Sequence, residues 1–344
     1  MDGERPLTDS ALPNIASEPS GQTALVSKLS FEQTIARSLV HRAAINEVFL
    51  TDSAEIGKRQ WAVAAMLPRS HMLFNDGGNP NYLDPLAIME VARQVTEYVA
   101  HRYARVPQDH FLIFRGMNVA FTDPDVLRPG PEPARVVVIV NARTSERLNK
   151  RPVTIMVDGR ECAVLGGKWF PLPRRVFASA RERARRKQFA NEQSLPQTDK
   201  SETLAEPSRV GRFNPRNVLL ANAAADGSDA MVFDLVIDQS HPVFFDHPVD
   251  HVPGMVILEA ARQAAVAALG EHRHAAPNRT LIVNCRVNFD TFCELDLPTR
   301  CRVTIDASQR AIDDHKSRHQ LTVSFEQART AVGTIALSML ENLA

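Results

Sequence analysis

The sequence contains one internal repeat, and this repeat limits the possible folds more than any other feature. Residues 45–71 align with residues 215–241 without a gap, and His71 coincides with His241. Further on, residues 82–94 align with 251–263, and residues 134–143 align with 301–310. The order of the matching stretches is the same in both copies. Duplication of one domain explains this pattern.

Each copy has the same predicted layout, with one long apolar helix among short strands. The helices are predicted at residues 84–103 and 253–269, and the strands near 45–50, 60–67, 110–121, 134–143, 151–158 and 161–169 in the first copy and near 216–221, 230–238, 281–290, 299–308, 318–326 and 330–340 in the second. The second helix is apolar on nearly all sides, so it must be covered all round. The later strands alternate apolar and polar residues, which suits a sheet with one solvated face. We therefore predict an α+β protein in which an antiparallel sheet wraps a long central helix in each copy.

Local residues refine the boundaries of this layout. Asp84 and Pro85 predict an N-cap and first turn, Pro253 fits the first turn of the second helix, and Gly270 fits its C-terminal cap. We divide the chain into a disordered tail at 1–29, a first domain at 30–172, a linker at 173–208 and a second domain at 209–344. The linker begins strongly basic and becomes polar, so we interpret it as solvated, with a short helix as an option.

Composition excludes several classes of function. The 40 basic and 40 acidic residues balance, so no overall field would attract nucleic acid or an anionic membrane. No apolar run reaches the roughly 20 residues that span a bilayer, and the N-terminus lacks the pattern of a signal peptide. The four cysteines form no C-x-x-C pair, which argues against a disulfide framework and a zinc site. We expect a cytoplasmic protein with reduced thiols, no metal and no cofactor.

Two charged residues interrupt the apolar helix of each copy at the same positions. Glu259 and Arg262 lie three residues apart and share a helix face, and Glu90 and Arg93 occupy the equivalent positions in the first copy. A buried charge costs several kcal/mol unless it is paired or hydrogen-bonded. The residues either pair with each other to hold the helix in place or serve a site. The histidine-rich loop before the second helix favours a site.

That loop and helix carry a resemblance to known families. Residues 241–265 read HPVFFDHPVDHVPGMVILEAARQAA, which resembles the hotdog β-hydroxyacyl-carrier-protein dehydratases. The segment resembles more closely the A-factor biosynthesis proteins, which are tandem hotdogs that make γ-butyrolactone or furan signalling molecules controlling antibiotic production. The resemblance extends over both halves, from about residue 30 to residue 340. It implies a tandem hotdog fold for this chain.

The resemblance also implies an activity and partners. Members of the A-factor family are understood to transfer a β-ketoacyl group from acyl carrier protein to the hydroxyl of dihydroxyacetone phosphate, which gives a phosphorylated β-keto ester. In a hotdog pair, each site combines the loop of one half with the helix of the other. We therefore expect His247 or His251 to face Glu90, and Glu259 to face a Gly-rich loop of the first half.

The sequence departs from the dehydratase pattern in the loop. His247 precedes Pro253 by six residues, two fewer than in that family, and its equivalent in the first copy is Gly77 or Gly78. The two sites should therefore be unequal, and dehydration at both is disfavoured. Which of the two sites is active stays open, since histidines mark one site and Glu259 lies in the stronger motif.

Acyl transfer assigns a role to each candidate. The thioester carbonyl needs hydrogen-bond donors, which the N–H groups of Gly254 and Met255 can supply. The acceptor hydroxyl must lose a proton, which suits His247 or a buried glutamate with a raised pKa, and an arginine suits the phosphate. The catalytic candidates are Glu259, Glu90, His247 and His251, and the substrate-binding candidates are Arg262, Arg93, Gly254 and Met255.

Several alternatives remain open at this stage. The chain could be a dehydratase or thioesterase of the same fold, or a sensor that binds an acyl ligand without chemistry. The basic run at residues 174–187 could dock an acidic carrier protein, although a solvated linker face is the simpler interpretation. His71 and His241 are interpreted as buried structural histidines. A homodimer is possible, but fusion of the two halves makes a monomer feasible.

Overall fold

The computed structural model describes residues 25–142, 153–192, 203–306, 311–313 and 316–342. The tail predicted at 1–29 lies outside these ranges up to residue 24, and the polar part of the predicted linker at 193–202 lies outside them as well. Leu29, which the division of the chain assigns to the tail, is buried against Ala62 and Ala64. Packing therefore begins slightly before residue 30.

Each half contributes a set of strands and a long helix. The first half contains β1 Leu50–Gly57, β2 Gln60–Leu67, α1 Pro85–Arg102, β3 His110–Phe121, β4 Ala134–Asn141, β5 Val153–Val157 and β6 Arg160–Pro173. A connecting helix, α2 Arg174–Glu192, follows. The second half contains β7 Leu220–Ala225, β8 Ala230–Leu235, α3 Gly254–Arg273, β9 Thr280–Phe289, β10 Thr299–Ile305, β11 Ala311–Asp313, β12 Lys316–Gln327 and β13 Thr330–Asn342.

The strands form one continuous sheet with a pseudo-twofold arrangement. Their order is β1-β2-β4-β5-β6-β3-β9-β13-β12-β10-β8-β7, with β11 on β12, and the described pairs are antiparallel. The two halves join where residues 116–120 of β3 pair with residues 284–288 of β9. A Cβ at Gly116 would lie 2.8 Å from the Val287 carbonyl oxygen, so only glycine fits this close approach. The duplicated layout is confirmed.

The sheet covers the two long helices, as predicted. Every residue of α3 from Val256 to Leu269 is buried, and α1 and α3 contact each other. The start of α1 matches the prediction, because the Asp84 carboxylate accepts a hydrogen bond from the Leu86 N–H at 2.8 Å. The predicted end of α3 at Gly270 is wrong. The helix continues to Arg273 and ends at His274, which takes a left-handed conformation.

Two other predictions need correction. The strands predicted at 45–50 and 216–221 are largely 3-10 turns, Ile45–Glu47 and Pro215–Asn217, and the strands begin only at residues 50 and 220. The turns direct Glu47 and Asn217 inward, where both are buried. The region predicted as a solvated linker begins with α2, whose Phe177, Arg181 and Gln188 are buried against the rest of the protein.

The described residues also bear on cysteine, metal and membrane chemistry. All four cysteines are buried and unpaired. No cluster of three or more acidic, histidine or cysteine side chains suited to a metal occurs in the described ranges. No helix among those described is long and apolar enough to cross a membrane.

Candidate active site at two related helix–loop junctions

Glu90 lies at the centre of a buried cluster of hydrogen bonds in the first half. Its carboxylate accepts from Arg42 Nη2 at 2.6 Å, from Arg93 Nη2 at 2.7 Å and from Gln94 Nε2 at 2.8 Å. Arg93 Nε donates to the second carboxylate oxygen at 2.8 Å, and Arg93 also pairs with Glu97. The Glu90 side chain is only 1% exposed, so these contacts replace water completely.

The second half repeats this cluster around Glu259. Its carboxylate accepts from Arg212 Nε at 3.0 Å, from Arg262 Nη2 at 2.8 Å and from Gln263 Nε2 at 2.6 Å. The Arg212 side chain is 1% exposed and is among the largest fully buried side chains. Each cluster therefore holds two arginines around one glutamate, and the sequence repeat relates the members of one cluster to those of the other.

The glutamates of both clusters are carboxylates. Burial raises the pKa of such a group, but the charges of Arg42 and Arg93 outweigh burial and hold the pKa of Glu90 well below its ordinary value. Arg212 and Arg262 likewise lower the pKa of Glu259. The expectation of a buried glutamate with a raised pKa is therefore wrong. These groups orient arginines, and a proton acceptor has to come from elsewhere.

Each cluster reaches across to the other half of the molecule. Arg42 donates to the Val243 carbonyl at 3.2 Å and lies 3.4 Å from Asp246, while the Ala43 N–H donates to Asp246 at 2.8 Å. Asp246 belongs to the histidine loop of the second half. The loop of the second half therefore sits at the Glu90 cluster, as the sequence predicts.

The reciprocal contact joins Arg212 to the loop of the first half. Arg212 Nη1 donates to the carbonyls of Leu73 and Asp76, each at 2.6 Å. The Gly78 N–H donates to the Gly211 carbonyl at 2.9 Å. The Gly-rich loop therefore lies at the Glu259 cluster. We call the two junctions the histidine site, around Glu90, and the glycine site, around Glu259.

The loops themselves are shaped by the repeated histidines. His241 Nδ1 accepts from the N–H groups of Val243 and Phe244, and its Nε2 bonds Asn217 at 2.9 Å. Burial lowers the pKa of His241 to about 4, so it is neutral. His71 Nδ1 makes the equivalent bonds in the first loop. The interpretation of this pair as structural histidines is confirmed.

The histidine site contains a carboxylate–imidazole pair. His247 Nδ1 lies 2.5 Å from Asp246, whose side chain is 1% exposed. Burial opposes ionisation of Asp246, but the hydrogen bond from His247 and the charge of Arg42 lower its pKa to about 2. Because a carboxylate only accepts, Nδ1 of His247 carries a proton, and in the neutral imidazole the lone pair lies on Nε2. The His247 side chain is 40% exposed, which leaves it accessible to a ligand.

A second histidine pair lies at the same site. His41 Nε2 lies 2.8 Å from His101 Nε2, and His101 Nδ1 donates to the Val106 carbonyl at 2.9 Å. His101 is therefore the acceptor and His41 the donor of the shared bond. Burial lowers the pKa of His41, which directly precedes Arg42 of the Glu90 cluster.

The two sites differ at the positions of these histidines. In the glycine site, glycines occupy the positions that the repeat relates to His41, His101 and His247, namely Gly211, Gly270 and Gly77. A Cβ at Gly77 would lie 2.4 Å from the Gly211 carbonyl oxygen, and Gly77 has a φ of +83°. The glycine loop therefore packs against the second half too closely for side chains. The two sites are unequal, as predicted, because histidines of the histidine site are replaced by glycines in the glycine site.

The glycine site borders a pocket with an empty volume of about 460 Å³, part of it open to solvent. Apolar side chains such as Leu83, Val266 and Met339 line it together with Arg262 and Asp84. Asp84 Oδ2 lies 3.7 Å from Arg262 Nη1, and burial raises the pKa of Asp84 although Arg262 opposes this effect. The site thus offers a cation, with a carboxyl in place of a histidine.

The remaining sequence candidates lie in the end of the histidine loop and in the first turn of α3. His251 Nδ1 bonds Asp250 at 2.6 Å, and its ring packs edge-on against Phe292 with 5.1 Å between the centroids. Gly254 and Met255 form the first turn of α3, where N–H groups have no partner within the helix. Of the two loop histidines, His247 is thus the one linked to the Glu90 cluster, through Asp246 and Arg42.

Sequence reasoning missed several members of these sites. Arg42 and Arg212 occupy equivalent positions three residues before the aligned repeat at 45 and 215, and Asp246 has an equivalent at Asp76. Extending the alignment by three residues would have found the arginines. His41 carries no such signal, because its equivalent is a glycine and its partner lies 60 residues away.

Comparison with known proteins supports this architecture. Residues 23–173 and 193–341 each match the model of the A-factor biosynthesis hotdog domain. A 2-oxo-3-(phosphooxy)propyl 3-oxoalkanoate synthase of Streptomyces virginiae is 34% identical over 273 residues, which cover 77% of this chain and 85% of that protein. A protein of the same name from Streptomyces coelicolor is 29% identical over 281 residues, 80% of this chain and 84% of that protein.

Among solved structures, one similar chain is an isomerase-inactive variant of the dehydratase domain GphF DH1. It is 10% identical, covers 85% of this chain and 94% of its own length, and has a TM-score of 0.49. Two matches to one domain model, in two halves joined by a pseudo-twofold sheet, account for nearly the whole chain. The chain belongs to the A-factor biosynthesis family of tandem hotdog proteins.

Proposed function

We propose that this protein transfers a 3-oxoacyl group from an acyl-carrier-protein thioester to the hydroxyl of dihydroxyacetone phosphate. The product is a phosphorylated β-keto ester, the precursor of a γ-butyrolactone or furan signalling molecule that controls antibiotic production. The synthases of Streptomyces virginiae and Streptomyces coelicolor are named for the synthesis of such an ester, which supports the substrate class. Buried, unpaired thiols are typical of a reducing compartment, so the proposal places the reaction in the cytoplasm.

The observation that carries the proposal is the Asp246–His247 pair held against the Glu90 cluster. Transfer to a hydroxyl needs a group that takes one proton and returns it. His247 has Nδ1 fixed by a buried carboxylate and Nε2 open, and Arg42 ties that carboxylate to Glu90. The glycine site has a glycine at the position of His247. We therefore assign the transfer to the histidine site.

The chemical step balances without a cofactor. The acceptor hydroxyl gives its proton to His247 Nε2 while its oxygen attacks the thioester carbonyl carbon. The tetrahedral oxyanion then collapses, the carbon–sulfur bond breaks, and the leaving thiolate takes the proton from Nε2. The carboxylate of Asp246 stabilises the imidazolium that forms between these steps. N–H groups at the start of α3, from Gly254 and Met255, are the proposed donors to the oxyanion.

Arginine is the proposed partner of the phosphate. The Arg93 side chain is 21% exposed although it also pairs with Glu90 and Glu97, whereas Arg262 is 9% exposed. Arg93 is therefore the more accessible guanidinium and belongs to the histidine site. Because fusion supplies both halves of each site in one chain, the proposed reaction requires no homodimer.

The test is mass spectrometry of purified protein with a 3-oxoacyl carrier-protein thioester, with and without dihydroxyacetone phosphate. The proposal predicts a phosphorylated β-keto ester only when the triose is present. Asp246→Asn should lower its rate of formation, whereas Asp84→Asn, at the glycine site, should retain transfer at the histidine site. Loss of transfer in Asp84→Asn with full activity in Asp246→Asn would move the reaction to the glycine site.

Other products would overturn the proposed activity. Free acid formed without the triose would indicate a thioesterase, and water lost from a 3-hydroxyacyl thioester would indicate a dehydratase. Tight binding of the acyl compound without turnover would indicate a sensor.

A further inference from the structure

The connecting helix α2 concentrates positive charge in a chain whose total charge is balanced. The whole protein has 40 basic and 40 acidic residues, yet the 19 residues of α2 read RRVFASARERARRKQFANE, with seven basic and two acidic residues. Arg181, Arg185 and Arg186 form ion pairs within the protein, and the proposed chemistry uses none of the seven cations. A charged face of this kind, on a helix that the fold holds in place, is available to a partner.

One face of α2 is fixed to the second half. Arg181 is buried and forms an ion pair with Glu294, whose side chain is fully buried, and it also donates to the Asp250 carbonyl. Gln188 Nε2 donates to the Phe292 carbonyl at 2.9 Å. A buried ion pair of this kind resists separation, because either partner alone would be an uncompensated charge. These contacts therefore fix the orientation of α2 on the second half.

The opposite face of α2 exposes basic residues. Arg175, Arg183 and Lys187 are exposed, and their spacing of eight and four residues places them on one side of the helix. They span about 18 Å along the axis. Arg186 differs, because it pairs with Glu182 at 3.2 Å. Arg175, Arg183 and Lys187 form no ion pair within the described part of the chain. We call these three residues the basic stripe.

The helix that carries the basic stripe packs against the loop of the histidine site. The buried face of α2 contacts the loop that carries His247, since Arg181 bonds Asp250 and Phe177 packs near His251 with 6.4 Å between ring centroids. Asp250 follows His247 by three residues. A partner seated on the stripe would therefore lie across α2 from this loop, about 10–12 Å away, which is the diameter of a helix.

We propose that the basic stripe of α2 is the docking surface for the acyl carrier protein that delivers the thioester. This inference rests on the proposed function and extends it to a partner surface. An acidic carrier protein complements three unpaired cations on a fixed helix, and complementary charge accelerates encounter with a partner. A stripe of three cations on a chain with no net charge is small for nucleic acid, which would favour a larger basic surface.

The test compares a carrier-borne donor with a small donor. The triple variant Arg175→Glu, Arg183→Glu, Lys187→Glu is assayed with a 3-oxoacyl carrier protein and with the same acyl group on N-acetylcysteamine. We expect the KM for the carrier-borne donor to rise by about tenfold or more, and the wild-type KM to rise with salt. The kinetics with the N-acetylcysteamine thioester should stay within about twofold, because the stripe does not contact the reacting atoms.

A matched control carries the same change of charge elsewhere. Arg286, Arg300 and Arg318 are exposed on strands β9, β10 and β12, and their conversion to Glu should leave the kinetics with both donors unchanged. An equal rise in KM for the carrier in this control and in the stripe variant would overturn the proposal. So would an unchanged KM for the carrier in the stripe variant.

Direct binding separates this inference from the proposed activity. Titration of the whole protein with acyl carrier protein lacking an acyl group should give binding that the stripe variant loses and the control keeps. Carrier binding without ester formation would refute the acyl transfer and leave the docking surface standing. Binding of duplex DNA or anionic phospholipid vesicles, but not of carrier protein, through the stripe would overturn the inference.

Discussion

Removal of Arg212 tests the energetics of the glycine site most sharply. This side chain is 1% exposed, makes two contacts with Glu259 at 3.0 and 2.7 Å, and donates to two carbonyls at 2.6 Å. Arg212→Met keeps most of the volume, but it leaves Arg262 as the cation of Glu259 and removes the donor to two carbonyls. Breaking a buried ion pair costs about 3–5 kcal/mol. We expect a loss of that size in the free energy of unfolding.

Equilibrium urea unfolding measures this loss, with a double variant as the internal check. Arg212→Met with Glu259→Gln removes both charges, so it should be less destabilised than the sum of the single variants, by at least about 1 kcal/mol. Arg209→Met is the matched control, because Arg209 and Glu271 form an exposed pair, and it should cost about 1 kcal/mol or less. A cost below about 1 kcal/mol for Arg212→Met would refute the view that this cluster holds the two halves together.

Three further results are expected. Gly77→Ala should lower the free energy of unfolding by more than about 1 kcal/mol, because the added Cβ meets the Gly211 carbonyl at 2.4 Å and the residue has a positive φ. Gly130→Ala is the control, because the space around Gly130 is open, and it should be nearly neutral in the same urea assay. The pKa of Asp246 is lowered from 3.8 to about 2. Its ionisation therefore contributes about 2 kcal/mol to stability above pH 4, and this contribution is lost as the pH falls through 2. The difference in unfolding free energy between wild type and Asp246→Asn should shrink over that interval. Burial raises the pKa of Cys285 to about 12, and all four thiols are buried. A thiol reagent at pH 8 should therefore label the protein only after unfolding. Rapid labelling of the folded protein would contradict the packing.

The fold could be predicted because its signals are repeated. A long apolar run bounded by capping residues predicts each helix. The start of α1 agrees with this prediction, because the helix begins at the proline that follows its predicted cap Asp84. Alternating strands near the C-terminus were placed within a few residues. The first strand of each half begins later than predicted. Glu47 and Asn217 are polar yet buried, so they interrupt the apolar alternation that marks a strand.

The candidate site could be predicted only in part. Charges inside an apolar helix identified Glu90 and Glu259, and the resemblance to tandem hotdogs implied that a loop of one half meets the helix of the other. Arg42 and Arg212 also lower the glutamate pKa values, but they come from turns 48 and 47 residues upstream, so no local pattern marks them. The pairing of His41 with His101 is purely tertiary, and the repeat hides it because both equivalents are glycines.

The central claim is that His247 accepts the proton of the acceptor hydroxyl, and the rate of ester formation by His247→Ala tests it directly. The account predicts a fall in kcat of about 10²–10⁴-fold at pH 7, with the thioester still bound. His110→Ala is the matched control, because His110 also bonds a neighbouring aspartate, at 3.0 Å, but lies on β3 outside both sites. It should retain the wild-type rate. Ester formation by His247→Ala at the wild-type rate would contradict the account and transfer the chemistry to the pocket beside Arg262.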